Sequence, residues 1–358
     1  MSSSTKKLQM ALVLVVVLVS ALAQLSNVYA AESSTRGKTL SFLNEVVKLD
    51  TAKYHTTFTR TEIEYPANLG GLPREWMYLT FERAGENKIE VTCAFIDGNL
   101  TYCRVSAIKG SLLYTQTPSA NVLNAAKNLL ERYQAYAGVS CQSMIDMLNI
   151  DDISENITKT SGNTKLEVSN KDGSTLLSWK YTANSLDFPL KQTSLRFRNG
   201  SLWFMNDWNL YNIGNININT SKEEAIEIAR KAVRSIPTLH VKLGDGSVTD
   251  VQCNLADEPV KAELNSGPRE PLTLFPLWHV QFYFDEVHYG YYGVAVDIWA
   301  DTKQVYRINP TGLLADPTSL LRRPENGITS VPTINIVATI VIIAIIVIAK
   351  VTIKKRRK

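Results

Sequence analysis

The chain has 358 residues, 38 Lys and Arg against 34 Asp and Glu, a formal net charge of +4 and 45% hydrophobic residues. Eight of the basic residues lie in the two terminal segments, Lys6, Lys7, Lys350, Lys354, Lys355, Arg356, Arg357 and Lys358, so the remainder is mildly acidic. That distribution excludes a nucleic-acid footprint, which needs cations clustered on a folded face.

Lys6 and Lys7 precede an apolar run, Leu8 to Leu22, then a polar stretch and the small-residue sites Ala21-x-Ala23 and Val28-x-Ala30. This is the pattern of a secretory signal over residues 1–30, with cleavage expected after Ala30. An uncleaved anchor is the other reading, but a run of about 15 residues is short for a span.

Behind it, helical and strand patterns follow one another. Leu40, Leu43, Val46 and Val47 give one apolar face to a helix over Thr39 to Leu49. Strands are predicted around 54–65, 75–82, 88–95 and 100–108. In the second of these Met77, Leu79 and Phe81 face one side and Trp76 and Tyr78 the other, which predicts cover on both faces.

Cys93 and Cys103 flank the turn Asp97-Gly98-Asn99 symmetrically, and a short loop would set them directly opposite. In an oxidising compartment that spacing predicts a Cys93–Cys103 disulfide, against the alternative of two core thiols. Cys141 and Cys253 remain, and sequence does not fix their pairing.

A second helix is predicted after Pro118, with Val122, Leu123, Ala126, Leu129, Leu130 and Tyr133 as its stripe and Gly138 as its stop. A short helix is expected over 141–148. Strands follow near 157–160, 165–169, 175–182, 194–198 and 201–204, with Lys171-Asp172-Gly173 and Arg198-Asn199-Gly200 as hairpin turns. Ser221-x-x-Glu224 is a capping box that opens a third helix to about Ser235. The strands expected after it lie near 239–243, 247–255, 277–284, 291–299 and 304–308.

Asn309 to Ser330 is a Pro- and Gly-containing linker. From Ile334 to Ala349 there is no charge, and the chain ends in five consecutive basic residues, Lys354 to Lys358. About 20 apolar residues can cross a hydrocarbon core of about 30 Å, so a transmembrane helix is expected over 331–353. The basic tail, 354–358, belongs on the cytoplasmic side.

The expected fold class is therefore α+β, in up to three helix-plus-antiparallel-sheet units at 31–112, 113–215 and 216–310, a linker at 311–330 and one C-terminal membrane span. The body is expected outside the cell membrane, with the membrane and an extracytoplasmic protein as partners and no nucleic acid. In that compartment the four Asn-x-Ser/Thr tripeptides at Asn99, Asn156, Asn199 and Asn219 are candidate glycosylation sites.

The third unit carries a resemblance. Thr220-Ser221-Lys222-Glu223-Glu224-Ala225-Ile226-Glu227-Ile228-Ala229 is similar to the opening helix of PepSY-type domains. Leu277-Trp278-His279-Val280 and Val294-Ala295-Val296-Asp297 resemble the family's two strand motifs. Lys303 stands where its following hairpin normally has Gly. Covering roughly residues 219–308, the resemblance implies a helix packed on an antiparallel sheet, in a module that inhibits proteases or regulates cell-surface enzymes. It brings no catalytic residues.

Chemistry is otherwise sparse. His55, His240, His279 and His288 form no close ligand pair, and there is no Gly-x-Ser-x-Gly, phosphate loop or dinucleotide fingerprint. His279 and His288 with Asp285 or Glu286 are the one metal set weighed, against solvated hairpin residues. The cluster Tyr289-Gly290-Tyr291-Tyr292-Gly293 reads as a ligand platform or as plain cross-strand packing. The function expected is a non-catalytic binding or regulatory module without cofactors. The alternative is an extracytoplasmic hydrolase or metal-dependent enzyme whose site residues are dispersed along the chain.

Overall fold

The computed structural model describes residues 35–312, apart from Asp152, Ser154, Pro237, Asp245, Cys253 and 257–259. The expected signal segment, linker end, membrane span and basic tail lie outside the described residues. Among the described residues, no helix is long and apolar enough to cross a membrane.

The chain begins with a helix over 35–41, α1, which runs on as a π-helical turn, Phe42–Val47. Four strands follow as a meander: β1 (His55–Glu64), β2 (Arg74–Arg83), β3 (Asn87–Ile96) and β4 (Asn99–Lys109). The helices α2 (Val122–Ala137) and α3 (Gln142–Met147) interrupt. A second meander then runs through β5 (Ile157–Ser161), β6 (Thr164–Lys171), β7 (Ser174–Ala183), β8 (Leu186–Arg198) and β9 (Ser201–Asp207).

The two meanders are not separate. β4 pairs antiparallel with β9 through Tyr102↔Asn206, Cys103↔Met205 and Arg104↔Phe204. The result is a nine-stranded sheet in the order β1-β2-β3-β4-β9-β8-β7-β6-β5. A meander ending alone would expose a row of unpaired backbone groups, and each meander here satisfies the other's edge.

One face of this sheet carries the helices. Phe42, Leu43 and Val46 before β1, and Ala126, Leu129, Leu130 and Tyr133 on α2, are buried against Met77, Leu79, Phe81, Leu177, Trp179, Leu195 and Phe197. Asn121 caps α2 by accepting from Asn124 N, and Gly138 ends it in the left-handed region.

The rest of the chain builds a second layer pair. β13 (Lys261–Glu270), β14 (Thr273–His288), β15 (Tyr291–Trp299) and β16 (Val305–Gly312) are antiparallel, and β10 (Asn212–Ile213) joins the start of β14 in parallel. The helix α4 (Lys222–Arg234) buries Ala225, Ala229 and Val233 in one cluster with Val280, Phe282, Val294, Val296 and Ile298. Its Ser221 Oγ accepts from Glu224 N at 3.1 Å, the bond expected of the capping box. β11 (Thr238–Lys242) and β12 (Val248–Gln252) form a separate hairpin in the same cluster. Leu69, Ile96, Leu186 and Phe188 of the first body meet Tyr211 and Leu274 of the second in a small apolar cluster.

The expectation of an α+β fold in three helix-plus-sheet units is thus corrected. Strands take 53% of the described residues and helices 20%, and the fold is mostly antiparallel β. Two departures account for it. The β4–β9 pairing merges the first two units, and strands extend through polar stretches that lack a clear alternation. β13 was absent from the pattern because it is an edge strand, polar and carrying Gly267 and Pro268, which an edge tolerates.

A shared core has a measurable consequence. Met77→Ala in the first meander and Leu195→Ala in the second should each cost about 2–5 kcal/mol. Both should lower the same unfolding transition in urea, followed by far-UV circular dichroism. Two transitions, each shifted by only one variant, would mean that the meanders fold apart.

Candidate functional site

Strand alternation puts one side chain in two under the helices and the others on the opposite face of the large sheet. Across β2, β3, β4, β9 and β8 that outer face presents one register row of Trp76, Ala94, Tyr102, Asn206 and Ser194. The next row is Tyr78, Thr92, Arg104, Phe204 and Arg196. Trp76 and Tyr78 therefore lie on this face, not under a second layer of the helical core.

β9 departs from simple alternation. Arg196 is opposite Phe204 and Phe197 is opposite Leu202, so Trp203 is the extra residue of a β-bulge. Leu202 and Met205 stay in the core, and Trp203 and Phe204 both reach Arg196, at 5.4 and 5.2 Å from the ring centroids to its guanidinium carbon. Ring centroids then follow one another across the face. Trp76 to Tyr102 is 5.9 Å, Tyr102 to Phe204 is 6.4 Å and stacked, and Phe204 to Trp203 is 6.1 Å. Trp76 and Tyr102 thus meet above β3, and Ala94 beneath them is buried.

The charges on this face fall into two groups. Near β1, Arg74 donates to Glu64 at 2.6 Å and Arg60 pairs with Glu62 at 3.1 Å. The hydrogen bond from Arg74 holds Glu64 below the usual carboxylate range, and Trp76 Nε1 adds a second, at 2.6 Å. Near β9, Arg104, Arg196 and Arg198 surround the Trp203 ring at 5.5, 5.4 and 4.7 Å. Among the described residues none of these three has a carboxylate partner. Arg104 Nε donates to Ser106 Oγ at 3.1 Å, and Arg196 Nε is closed to water with no acceptor. Burial of Tyr102 beside them pushes its phenol up. Cation–π contacts of this kind contribute about 0.5–1 kcal/mol each at exposed sites, so they orient the guanidiniums without neutralising them.

The second sheet carries a different arrangement. Glu263, His279, Asp297 and Arg307 are register neighbours across β13 to β16. His279 Nδ1 is 2.7 Å from Asp297 Oδ1, Arg307 Nε donates to Asp297 Oδ2, and the Asp297 side chain is 3% exposed. Both oxygens of a buried carboxylate are thereby filled, the usual condition for such a charge to be tolerated.

The histidines do not converge. His279 and His288 are both on β14, nine residues apart, which at ~3.3 Å per residue is roughly 30 Å. His288 Nδ1 is 3.9 Å from Glu286, and His240 pairs with Asp250 on the β11–β12 hairpin. The set His279, His288, Asp285 and Glu286 is therefore not brought together. Among the described residues, no three His, Cys, Asp or Glu side chains gather as a metal ion would need. The tyrosine cluster is divided as well. Tyr291 is buried and donates to Lys242 O at 2.7 Å, Tyr292 stacks on Tyr283, and Tyr289 is exposed in the turn. Gly293 is required there, since a Cβ would lie 2.1 Å from Phe282 O.

Cys93 and Cys103 are direct cross-strand partners, as the turn symmetry suggested, and in the structure both are free, buried thiols where a bond was expected. Hydrogen bonding to Cys93, then burial, pushes the Cys103 thiol well up, and burial pushes Cys141 up to about 11. Of the four sequons, Asn199 is exposed in a turn, and Asn99 makes one local turn bond, to Asp97 O at 3.3 Å. The other two are engaged, since Asn156 Oδ1 accepts from Asn170 N and Asn219 Nδ2 donates to Asp301 O.

The arginine–aromatic face was not anticipated. Its signal is present as Trp76-x-Tyr78, Tyr102-x-Arg104 and Arg196-x-Arg198, but only the strand order makes these neighbours. Comparison with known proteins returns no matching family model and no matching curated relative.

Thiol accessibility follows from the burial. At pH 8 a maleimide should label none of Cys93, Cys103 and Cys141 in the folded protein, and labelling should appear on unfolding. In denaturant without reductant, labelling of Cys141 but not of Cys93 and Cys103 would show that the latter two are bonded to each other.

Proposed function

We propose that this chain is a non-catalytic binding or regulatory module. It is held on the outer side of a membrane by its apolar C-terminal segment and engages an extracytoplasmic protein through the outer face of the large sheet. The observation that carries this reading is the arginine–aromatic line itself, from Trp76 and Tyr78 through Tyr102 and Phe204 to Trp203, with Arg104, Arg196 and Arg198 beside it and without a carboxylate partner among the described residues. Trp, Tyr and Arg are the residues that most often dominate binding energy at protein interfaces. Five strands at ~4.8 Å spacing make the face about 20 Å wide, the scale of a standard interface patch.

The resemblance of residues 219–308 to PepSY-type domains supports the regulatory half of the reading, with a protease or another cell-surface enzyme as the regulated partner. The apolar run from Ile334 to Ala349 and the basic residues after it support the location.

A photoreactive residue tests the reading in intact source cells. Placed at Thr92, in the middle of the face, it should give a protein adduct that a photoreactive residue at Lys222, on the exposed side of α4, does not. Trp203→Ala should abolish that adduct. Equal labelling at the two positions, or none at Thr92, would refute the assignment of this face.

A further inference from the structure

We infer that the partner meets this face with an acidic, extended peptide segment. Its carboxylates are taken by Arg104, Arg196 and Arg198, and an apolar side chain next to them lies against the Trp76–Tyr102 ring pair. The inference rests on the binding role proposed above and gives that partner a chemistry.

Two observations lead there. The first is the charge pattern of the face. Arg60, Arg74, Lys165 and Lys180 each have a carboxylate within 3.2 Å, whereas the three arginines at Trp203 have none among the described residues. Three like charges around one indole repel one another, a cost that water and salt screen in part at the exposed Arg104 and Arg198 and that a bound anion lowers further. The second is the bulge. Simple alternation would turn either Trp203 or Phe204 into the core, and the extra residue keeps both beside the guanidiniums. A guanidinium fork matches a carboxylate through two parallel hydrogen bonds, so a carboxylate is the anion it suits.

The surroundings favour a peptide over other anions. Glu62 and Glu64 on β1 and Glu167 on β6 flank the patch on both sides. An anionic bilayer, which spreads its charge over a plane, would meet those carboxylates along with the arginines. A sugar chain stacks on open aromatic faces, but the Trp203 ring is already attended by three guanidiniums. A peptide can concentrate its charge over β9 and place an apolar side chain against the Trp76–Tyr102 ring pair above β3. Those strands are two spacings apart, ~10 Å, which an extended chain covers in about three residues. The segment expected therefore has two or more Asp or Glu about three positions from a Phe, Leu or Ile.

The test uses the full chain purified in detergent and a synthetic peptide of three glutamates, two glycines and a phenylalanine. Tryptophan fluorescence should titrate with this peptide, and the affinity should fall as salt rises. Arg196→Gln together with Arg198→Gln should weaken binding at least tenfold, and Arg196→Lys should weaken it less. Circular dichroism checks that the double variant is folded, and Arg104→Gln alone serves if it is not.

Unchanged peptide binding in the glutamine variants would overturn the inference. So would binding of polygalacturonate, or of phosphatidylglycerol vesicles, by a protein that ignores the peptide. An adduct at Thr92 that survives the glutamine variants would overturn the acidic segment while leaving the binding face intact. Absence of any adduct would instead count against the binding face itself.

Discussion

The pairing of β4 with β9 is the constraint on which the molecule depends. It involves three register pairs, fewer than any hairpin in the large sheet, yet it joins strands separated by some hundred residues. Before it forms, each meander has an apolar face and an open edge. Once it forms, Cys103 and Met205 stand side by side in one core, and α1, α2 and α3 have a single surface to cover. The loop-closure entropy of that contact grows only slowly with the length of chain between the strands, whereas the gain is the joining of both apolar faces.

The same three pairs create the candidate site on the opposite face. Tyr102 and Arg104 come from the first meander, and Trp203, Phe204 and Arg196 from the second. Tyr102 and Arg104 neighbour each other on β4, and Trp203, Phe204 and Arg196 do so across β8 and β9, but the two groups meet only through the β4–β9 pairing. The site is therefore a property of the sheet order, and the core and the binding face are two sides of one event.

This explains which features could be read from the chain. The turns at Asp97-Gly98-Asn99, Lys171-Asp172-Gly173 and Arg198-Asn199-Gly200 are short-range signals with a fixed backbone demand, and positive φ is found at Asp97, Asp172, Asn199 and the three glycines. The register of Cys93 and Cys103 and the cap at Ser221 were legible for the same reason. The outer half of β8, the edge strand β13 and the β4–β9 contact were not, because each owes its form to a partner far along the chain. The alternation of Trp76 and Tyr78 with Met77 and Leu79 was legible too, but alternation tells which residues share a face and not what lies over it.

Elsewhere the fold takes care to satisfy its charges. Arg269 holds Asp301 through two bonds of 2.8 and 2.9 Å while lying 3.7 Å over the Phe275 ring. Lys165 and Lys180 share Glu167, with Lys165 also on Asp187, and both carboxyls are held below their usual range against the opposing effect of burial. Asp297 is shared between His279 and Arg307. Other cations, Arg132 and Lys191 among them, are met by backbone oxygens, whereas among the described residues the three arginines at Trp203 have no carboxylate and a bulge gathers two rings beside them. Rules of local consistency that hold through most of a protein tend to be broken where it works, since the compensation there comes from a partner. That contrast, within one sheet, between the ion pairs at its two ends and the cations at Trp203, separates a structural network from the face proposed to bind a ligand.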